Sequence, residues 1–185
     1  MVGPDCMVLE GQGREVCDLS GAYEIRLLLM ETPSPTREAI IEAGEAIMAT
    51  ASNCALITIG PDGVPQARMM NPFPSEKGLI VWMATDRNTR KVTEMYADPR
   101  VTLIYFDQTD PGYATLVGKV RFVDDLVEKE ARWKPEWSIY YPGGQYGESY
   151  LLIEVTPRRL EVVSLRYDIA ADPLAWKAAV VEFDG

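Results

Sequence analysis

The segment Leu79–Lys91, with the sequence LIVWMATDRNTRK, decides the fold because an apolar strand pattern passes directly into a helix start. Its last three residues, Thr89, Arg90 and Lys91, fall in the first turn of that helix. Unpaired N–H groups and a partial positive charge favour anions there. Arg68 precedes this segment and reaches the same place if the two strands are neighbours. We call these four residues the cationic seat, and they predict a phosphate site. The alternative is an ordinary helix start with solvated cations.

Composition and charge limit the function classes. The chain has 185 residues, 47% hydrophobic and 25% charged, as in one globular domain with a sizeable core. Its net charge of −10 argues against a nucleic-acid partner, because such surfaces need many cations to neutralise phosphates. The sequence has no apolar run long enough to span a membrane, and its start lacks the pattern of a signal peptide.

Cysteine and histidine usage narrows the chemistry. The three cysteines show neither a paired framework nor metal spacing, so we expect a reducing cytoplasm and no metal site, with Cys54 in the core. The absence of histidine excludes imidazole-ligated metals and a Ser-His-Asp triad. The residues identify no catalytic group, and chemistry must come from other groups or from a bound cofactor.

The sequence divides into three parts. Residues 1–33 show no clear period and are expected to form a mobile extension, or to precede a true start at Met30. Residues 34–165 are the predicted domain, which opens with proline in the first turn of a helix. Residues 166–185 are expected to be a tail or a helix, the helix lying over Asp172–Phe183.

Turn residues and alternating apolar residues predict a mainly β (α+β) fold. Short helices are expected over 89–97 and 124–133, followed by an aromatic loop over 134–149. The predicted strands are Cys54–Ile59, Val64–Met70, Gly78–Thr85, Val101–Asp107, Tyr113–Val123, Tyr150–Thr156 and Arg159–Leu165, with a bend at Pro157 between the last two. We expect an antiparallel split or closed barrel of about six strands with peripheral helices.

Several short motifs follow one another in order along this domain. They are Ala55-Leu56-Ile57-Thr58, Asp62-Gly63-Val64-Pro65, Ala67-Arg68-Met69-Met70, Gly78–Thr85, Thr89-Arg90-Lys91-Val92, Asp98-Pro99-Arg100-Val101, Val117-Gly118-Lys119, Trp133-Lys134-Pro135-Glu136-Trp137 and Tyr141-Pro142-Gly143-Gly144. The ordered set resembles the flavin-binding split barrels of the pyridoxamine 5′-phosphate oxidase-like superfamily, and within it the bacterial general stress protein 26 group.

The resemblance implies a homodimer with FMN at the subunit interface. The residues that it assigns to the cofactor are Arg68, Thr89, Arg90 and Lys91 at the phosphate, Met69, Met70, Ala84 and Thr85 along the flavin, and Trp133 or Trp137 from the partner subunit. From its residues alone, the aromatic loop over 133–146 is equally a lid, a dimer contact or a packed loop.

Two departures from the true oxidases limit the activity. Tyr113 stands where those enzymes carry a glutamine that touches the flavin, and the chain lacks their substrate-holding arginine–histidine pair. The resemblance therefore implies an FMN-dependent oxidoreductase that is not a pyridoxamine phosphate oxidase, with a nicotinamide or a small molecule as electron partner. The alternatives are a non-catalytic flavin-binding stress protein and a deazaflavin-dependent reductase.

Overall fold

The computed structural model describes residues 34–108, 111–173 and 175–184. The extension expected over 1–33, with its possible start at Met30, lies outside the described residues. Helix α1 spans Arg37–Thr50, and the side chain of Thr36 caps it by accepting a hydrogen bond from Ala39 N at 3.2 Å. The buried residues of α1 recur at helical spacing and are Ile40, Ala43, Gly44, Ile47 and Met48.

Seven antiparallel strands form one sheet. The elements after α1 are β1 Cys54–Ile59, β2 Pro65–Met70, β3 Val81–Asp86, α2 Arg90–Ala97, β4 Arg100–Phe106, β5 Gly112–Val123, α3 Leu126–Ala131, β6 Tyr150–Ser164 and β7 Ala179–Glu182. The order across the sheet is β2-β1-β4-β5-β6-β3, and β7 pairs with β6. The predicted mainly β class with helices at the periphery is confirmed.

The sheet is not closed by a continuous ladder. Strands β2 and β3 lie at opposite ends of the strand order. An isolated antiparallel bridge between Pro72 and Met83 connects the segment after β2 to β3, and Phe73 N donates to Trp82 O at 2.8 Å beside it. Barrel closure therefore stays a prediction.

Strand β6 corrects the prediction of two strands separated at Pro157. One strand runs through Tyr150–Ser164. Pro157 lies opposite Gly118 at a register shift between β5 and β6, where its missing N–H interrupts no regular ladder. A Cβ on Gly118 would lie 2.4 Å from Thr156 O, so the close approach of the two backbones requires glycine there.

The predicted helix over Asp172–Phe183 is wrong. Its described residues form turns, a bridge between Asp172 and Lys177, and strand β7. Burial along β7 alternates with a period of two, with Ala179 and Val181 inside, which suits pairing with β6 rather than a helix.

The main core lies between α1 and the sheet. Helix α1 contacts β4, β5, β6 and β7, and helix α2 contacts β1. Fully buried side chains from successive strands fill this layer, among them Leu56, Leu103, Leu116, Ile153 and Leu160. Because α2 packs on β1 and β1 pairs with β2, the start of α2 lies close to Arg68.

Candidate functional site

Arg68 and helix α2 meet at one buried carboxylate, that of Glu94. Arg68 Nη2 lies 2.6 Å from Glu94 Oε2, and Arg68 Nη1 donates to Thr58 Oγ1 at 2.5 Å. Thr58 Oγ1 in turn donates to Glu94 Oε2 at 2.5 Å. The three side chains therefore close a hydrogen-bonded triangle in which the Glu94 side chain is 2% exposed.

The route by which Arg68 arrives differs from the one expected. Arg68 was expected to reach the start of α2 because its strand and the strand in Leu79–Lys91 would be neighbours, but β2 and β3 share no ladder. Instead, α2 packs on β1 and extends Glu94 towards Arg68. The convergence depends on a helix crossing a neighbouring strand.

Arg90 contacts the other carboxylate oxygen of Glu94. Its Nε lies 3.0 Å from Glu94 Oε1, one helical turn away. The pair is ionic rather than hydrogen-bonded, because within the described part of the chain Oε1 has no hydrogen-bond partner. The Arg90 side chain is 69% exposed, so much of its guanidinium remains accessible.

The environment of Glu94 favours its charged form. Burial alone would raise its pKa. Hydrogen bonds from Thr58 and Arg68, with the charges of Arg68 and Arg90, outweigh burial and lower the pKa below its usual value of 4.5. Glu94 is therefore an ionised counter-ion between two arginines at neutral pH.

Lys91 and Thr89 complete the cationic seat at the start of α2. Burial, and after it the charge of Arg68, lower the pKa of Lys91, while Asp86 and Glu94 oppose the change. Thr89 is the N-cap residue, but its side chain makes no capping bond and instead donates to Asp86 O at 2.8 Å. The Thr89 side chain thus leaves the first turn of α2 uncapped.

Sequence reasoning missed Glu94, although one signal pointed to it. Arg90 and Glu94 stand four residues apart, the spacing that places an ion pair on one helix face. The contact with Arg68 spans 26 positions and left no local signal. The structure brings Arg68, Arg90 and Lys91 together around the Glu94 carboxylate, and the role of the cationic seat as a cofactor site stays a prediction.

The four residues expected along the flavin lie in different surroundings. Met69 is 65% exposed, and Met70 packs against the main core. On β3, Thr85 is buried with its hydroxyl 3.5 Å from that of Thr89. Ala84 packs against a second cluster around Tyr150. Thr85 is therefore the one of the four that contacts the cationic seat directly.

Trp133 and Trp137 belong to that second cluster. Their ring centroids lie 6.5 Å apart, and Trp133 meets Tyr150 edge-on at 5.2 Å. Two 3-10 turns, Pro135–Ile139 and Gly144–Tyr146, shape this part of the chain. Of the three alternatives for the aromatic loop, the packed loop describes the two tryptophans. Their approach to a flavin in a partner subunit stays a prediction.

Arg87 connects the turn before α2 to the end of the aromatic loop. Its backbone N donates to Ser149 O at 2.8 Å, and its Nε donates to Glu148 O at 3.1 Å. Arg87 also pairs with Asp124, whose carboxylate lies 2.5 Å from Lys129 Nζ. Arg87, Asp124, Lys129 and Glu148 line a cavity of about 360 Å³. The turn that precedes α2 is therefore fixed to two later segments.

The outward face of β2, β1, β4 and β5 is largely apolar. Cross-strand pairing aligns two rows on it, which we call the outer sheet face: Met69, Ala55, Ile104 and Thr115, then Ala67, Ile57, Thr102 and Val117. All eight are half-buried or exposed. A contiguous apolar face of this kind marks an interaction surface.

Two further findings concern ligands and membranes. Over residues 34–108, 111–173 and 175–184, no group of three or more aspartate, glutamate, cysteine or histidine side chains is arranged to hold a metal ion. No helix in that same part of the chain combines the length and hydropathy needed to cross a bilayer.

Comparison with known proteins identifies the family. The family model for pyridoxamine 5′-phosphate oxidase like proteins matches residues 41–165. The chain belongs to this family. A search of curated proteins gives no significant match. The resemblance found in the ordered motifs is confirmed.

Several solved structures share the fold of this chain. A Clostridium acetobutylicum protein related to general stress protein 26 of B. subtilis gives a TM-score of 0.66 at 20% identity, covering 81% of this chain and 98% of that one. A pyridoxamine 5′-phosphate oxidase-related, FMN binding protein of Nostoc punctiforme gives 0.52 at 14% identity, covering 83% and 99%. An F420 reductase gives 0.51 at 20% identity, covering 63% and 94%. At these identities the likeness establishes the fold and leaves the ligand open.

Proposed function

We propose that this protein binds FMN and that the cationic seat holds the FMN phosphate. The convergence of Arg68, Arg90 and Lys91 around Glu94 carries the proposal. Three cations against two carboxylates, those of Glu94 and Asp86, leave a positive surplus in an acidic chain. Membership of the family and the FMN binding relative support the same ligand.

The donor set suits a phosphate monoester. Arg90 contacts Glu94 through its Nε and its side chain is 69% exposed, so the rest of its guanidinium is accessible to phosphate oxygens, and Lys91 supplies a further cation in the next position. The uncapped first turn of α2 adds backbone N–H groups. Thr58 and the Leu56 carbonyl, 3.4 Å from Arg68 Nη1, hold Arg68 in position. Bound flavin would supply the redox chemistry.

We propose a homodimer with the flavin at its interface, formed through the outer sheet face. This face exposes apolar side chains, and its residue Met69 adjoins Arg68 on β2. The aromatic loop is less suited to the main contact, because Trp133 and Trp137 pack within their own chain. Because Arg68 and Met69 point to opposite faces of the edge strand β2, the flavin would extend from Arg68 around this edge to reach the second subunit.

For activity, we propose an FMN-dependent oxidoreductase that uses a nicotinamide or a small molecule as electron partner. A pyridoxamine phosphate oxidase is not expected, because the chain has no histidine and carries Tyr113 in place of the flavin-contacting glutamine. A deazaflavin is the second candidate cofactor, since an F420 reductase shares the fold. A flavin-binding protein without turnover is the alternative from a different class. We place the protein in the cytoplasm.

Cofactor identity is tested first, by the absorbance spectrum and mass of the molecule that copurifies with the protein. Fluorescence titration of the ligand-free protein with FMN and riboflavin then tests the phosphate contact. We expect FMN to bind at least about tenfold more tightly than riboflavin, because one charge-assisted contact is worth about 1.5–3 kcal/mol. Equal affinities would reject the phosphate assignment, and a copurified deazaflavin would replace FMN.

Activity is tested by anaerobic titration of the flavin-loaded protein with NADH and NADPH. Reduction followed by turnover with an added acceptor supports an enzyme, whereas reduction without turnover favours the binding protein. A separate assay with pyridoxamine 5′-phosphate should show no useful oxidation. Robust conversion would show that the missing histidine was misinterpreted.

A further inference from the structure

Glu94 occupies an unusual position for a carboxylate in a predicted phosphate site. Its side chain is 2% exposed and lies between Arg68 and Arg90, the two guanidinium groups proposed to bind the ligand. A phosphate held by the same arginines would lie within a few ångströms of a buried negative charge. Glu94 therefore has to affect ligand binding, and its contacts indicate whether it raises or lowers the affinity.

The hydrogen bonds of Glu94 show how it acts on the cationic seat. Glu94 Oε2 accepts from both Arg68 and Thr58, while Oε1 faces Arg90 without an aligned hydrogen bond. The carboxylate thus neutralises part of a cluster of three cations that would otherwise repel one another. This arrangement hydrogen-bonds Arg68, partly neutralises Arg90, and so competes with an external anion for the same charges.

Resting on the proposed function, we infer that Glu94 is a resident counter-anion that stabilises the empty cationic seat and lowers its affinity for phosphate. Arg68 keeps two other contacts, with Thr58 Oγ1 at 2.5 Å and Leu56 O at 3.4 Å, so its position does not depend on the charge of Glu94. Glutamine at this position retains an oxygen that accepts from Thr58 and Arg68. Removal of the negative charge is then the main effect of Glu94→Gln.

The experiment compares wild type, Glu94→Gln and the control Glu45→Gln. Glu45 is exposed on α1, and its substitution changes the net charge by the same amount away from the seat. Each protein is titrated with FMN and riboflavin, and its thermal unfolding is followed with and without inorganic phosphate. We expect Glu94→Gln to lower the midpoint temperature of thermal unfolding in the absence of ligand. Its FMN affinity should rise about tenfold, because the substitution removes a negative charge that repels the phosphate. This size is for two like charges at short range whose repulsion is screened almost as strongly as in water.

Riboflavin affinity should not change in Glu94→Gln, and Glu45→Gln should match wild type in every assay. Weaker FMN binding by Glu94→Gln would overturn the inference, because Glu94 would then only position the arginines. If Glu94→Gln does not fold, refolding in inorganic phosphate but not in chloride of equal ionic strength supports the inference. Failure of phosphate to restore folding rejects it.

The proposed FMN function fails separately if wild type binds no FMN. The inference is then decided by inorganic phosphate alone. Greater stabilisation of Glu94→Gln than of wild type by phosphate supports a resident counter-anion for some other anionic ligand. Equal stabilisation of the two proteins overturns it.

Discussion

Strands β2 and β6 place their side chains in opposite ways. In β2, the apolar residues Pro65, Ala67 and Met69 are exposed, while Arg68 turns inward to a buried carboxylate. In β6, the first six residues from Tyr150 are all buried, and the strand has neighbours on both sides. Strand β2 therefore presents side chains that suit binding to a ligand or a partner, whereas β6 mainly stabilises the fold.

The difference follows from position in the sheet. Strand β2 ends the strand order and pairs only with β1, so its two faces are not both needed for the core. Strand β6 pairs with β3, β5 and β7, and most of its residues are buried. Substitutions in the two strands should therefore affect different measurements.

The largest expected effect is on stability. Leu152→Ala in β6 removes a fully buried side chain and should lower the free energy of unfolding by about 2–5 kcal/mol. Met69→Ala in β2 should change it by less than about 0.5 kcal/mol when measured on the monomer. Urea denaturation followed by tryptophan fluorescence at low protein concentration tests both. Similar losses in the two variants would remove the proposed distinction.

The second effect is on assembly. Met69→Glu should place a charge in the proposed interface and weaken the dimer by about 3 kcal/mol, or more than a hundredfold. Light scattering should then report the 20.6 kDa chain in place of twice that mass. Val127→Glu is the control, because Val127 is 73% exposed on α3, outside the outer sheet face. A dimer that survives Met69→Glu would exclude this face as the interface.

The third effect is on ligand affinity. Lys91→Ala should weaken FMN roughly ten- to a hundredfold while leaving riboflavin almost unchanged, because one charged phosphate contact is lost. The exposed Lys119 provides the control Lys119→Ala with the same change of charge. Arg68→Ala is a poorer test, since it leaves Glu94 buried without its closest partner and destabilises the fold. Unchanged FMN binding by Lys91→Ala would contradict the assigned role.

The smallest effect concerns pH. Because the folded protein lowers the pKa of Glu94 below 4.5, its ionised form contributes stability above that value, and the contribution is lost as pH falls through the lower folded pKa. The stability difference between wild type and Glu94→Gln should therefore narrow in acid. Denaturation series at neutral and acidic pH measure it. A stability difference that widens in acid would contradict the lowered pKa of Glu94.

How far the sequence predicted the fold depended on whether the signal was local. Strand β1 was predicted with its observed bounds, Cys54–Ile59, because a strand-like run lies there between Asn53 and the turn that begins at Gly60. The continuous β6 was missed because proline is normally a strand breaker, and only pairing with Gly118 shows that Pro157 is tolerated. The helix predicted near the C-terminus failed because pairing of β7 with β6 outweighed local composition.

The same limit applied to the candidate site. Thr89, Arg90 and Lys91 were visible as a local group at a helix start. The role of Glu94 was not, because a carboxylate on a helix is ordinarily solvated and its contact with Arg68 depends on how α2 crosses β1. Local patterns located the cations, and only tertiary packing identified their counter-ion.

The contacts of Arg87 have a consequence for motion. One side chain and its backbone N attach the turn before α2 to Ser149, Glu148 and Asp124. Segments joined by several such bonds open together, so amide hydrogens on both should exchange with deuterium as one cooperative unit. Arg87→Ala should separate them into two units with different exchange rates. Opening at the start of α2 is thus governed by a residue that belongs neither to the core nor to the cationic seat.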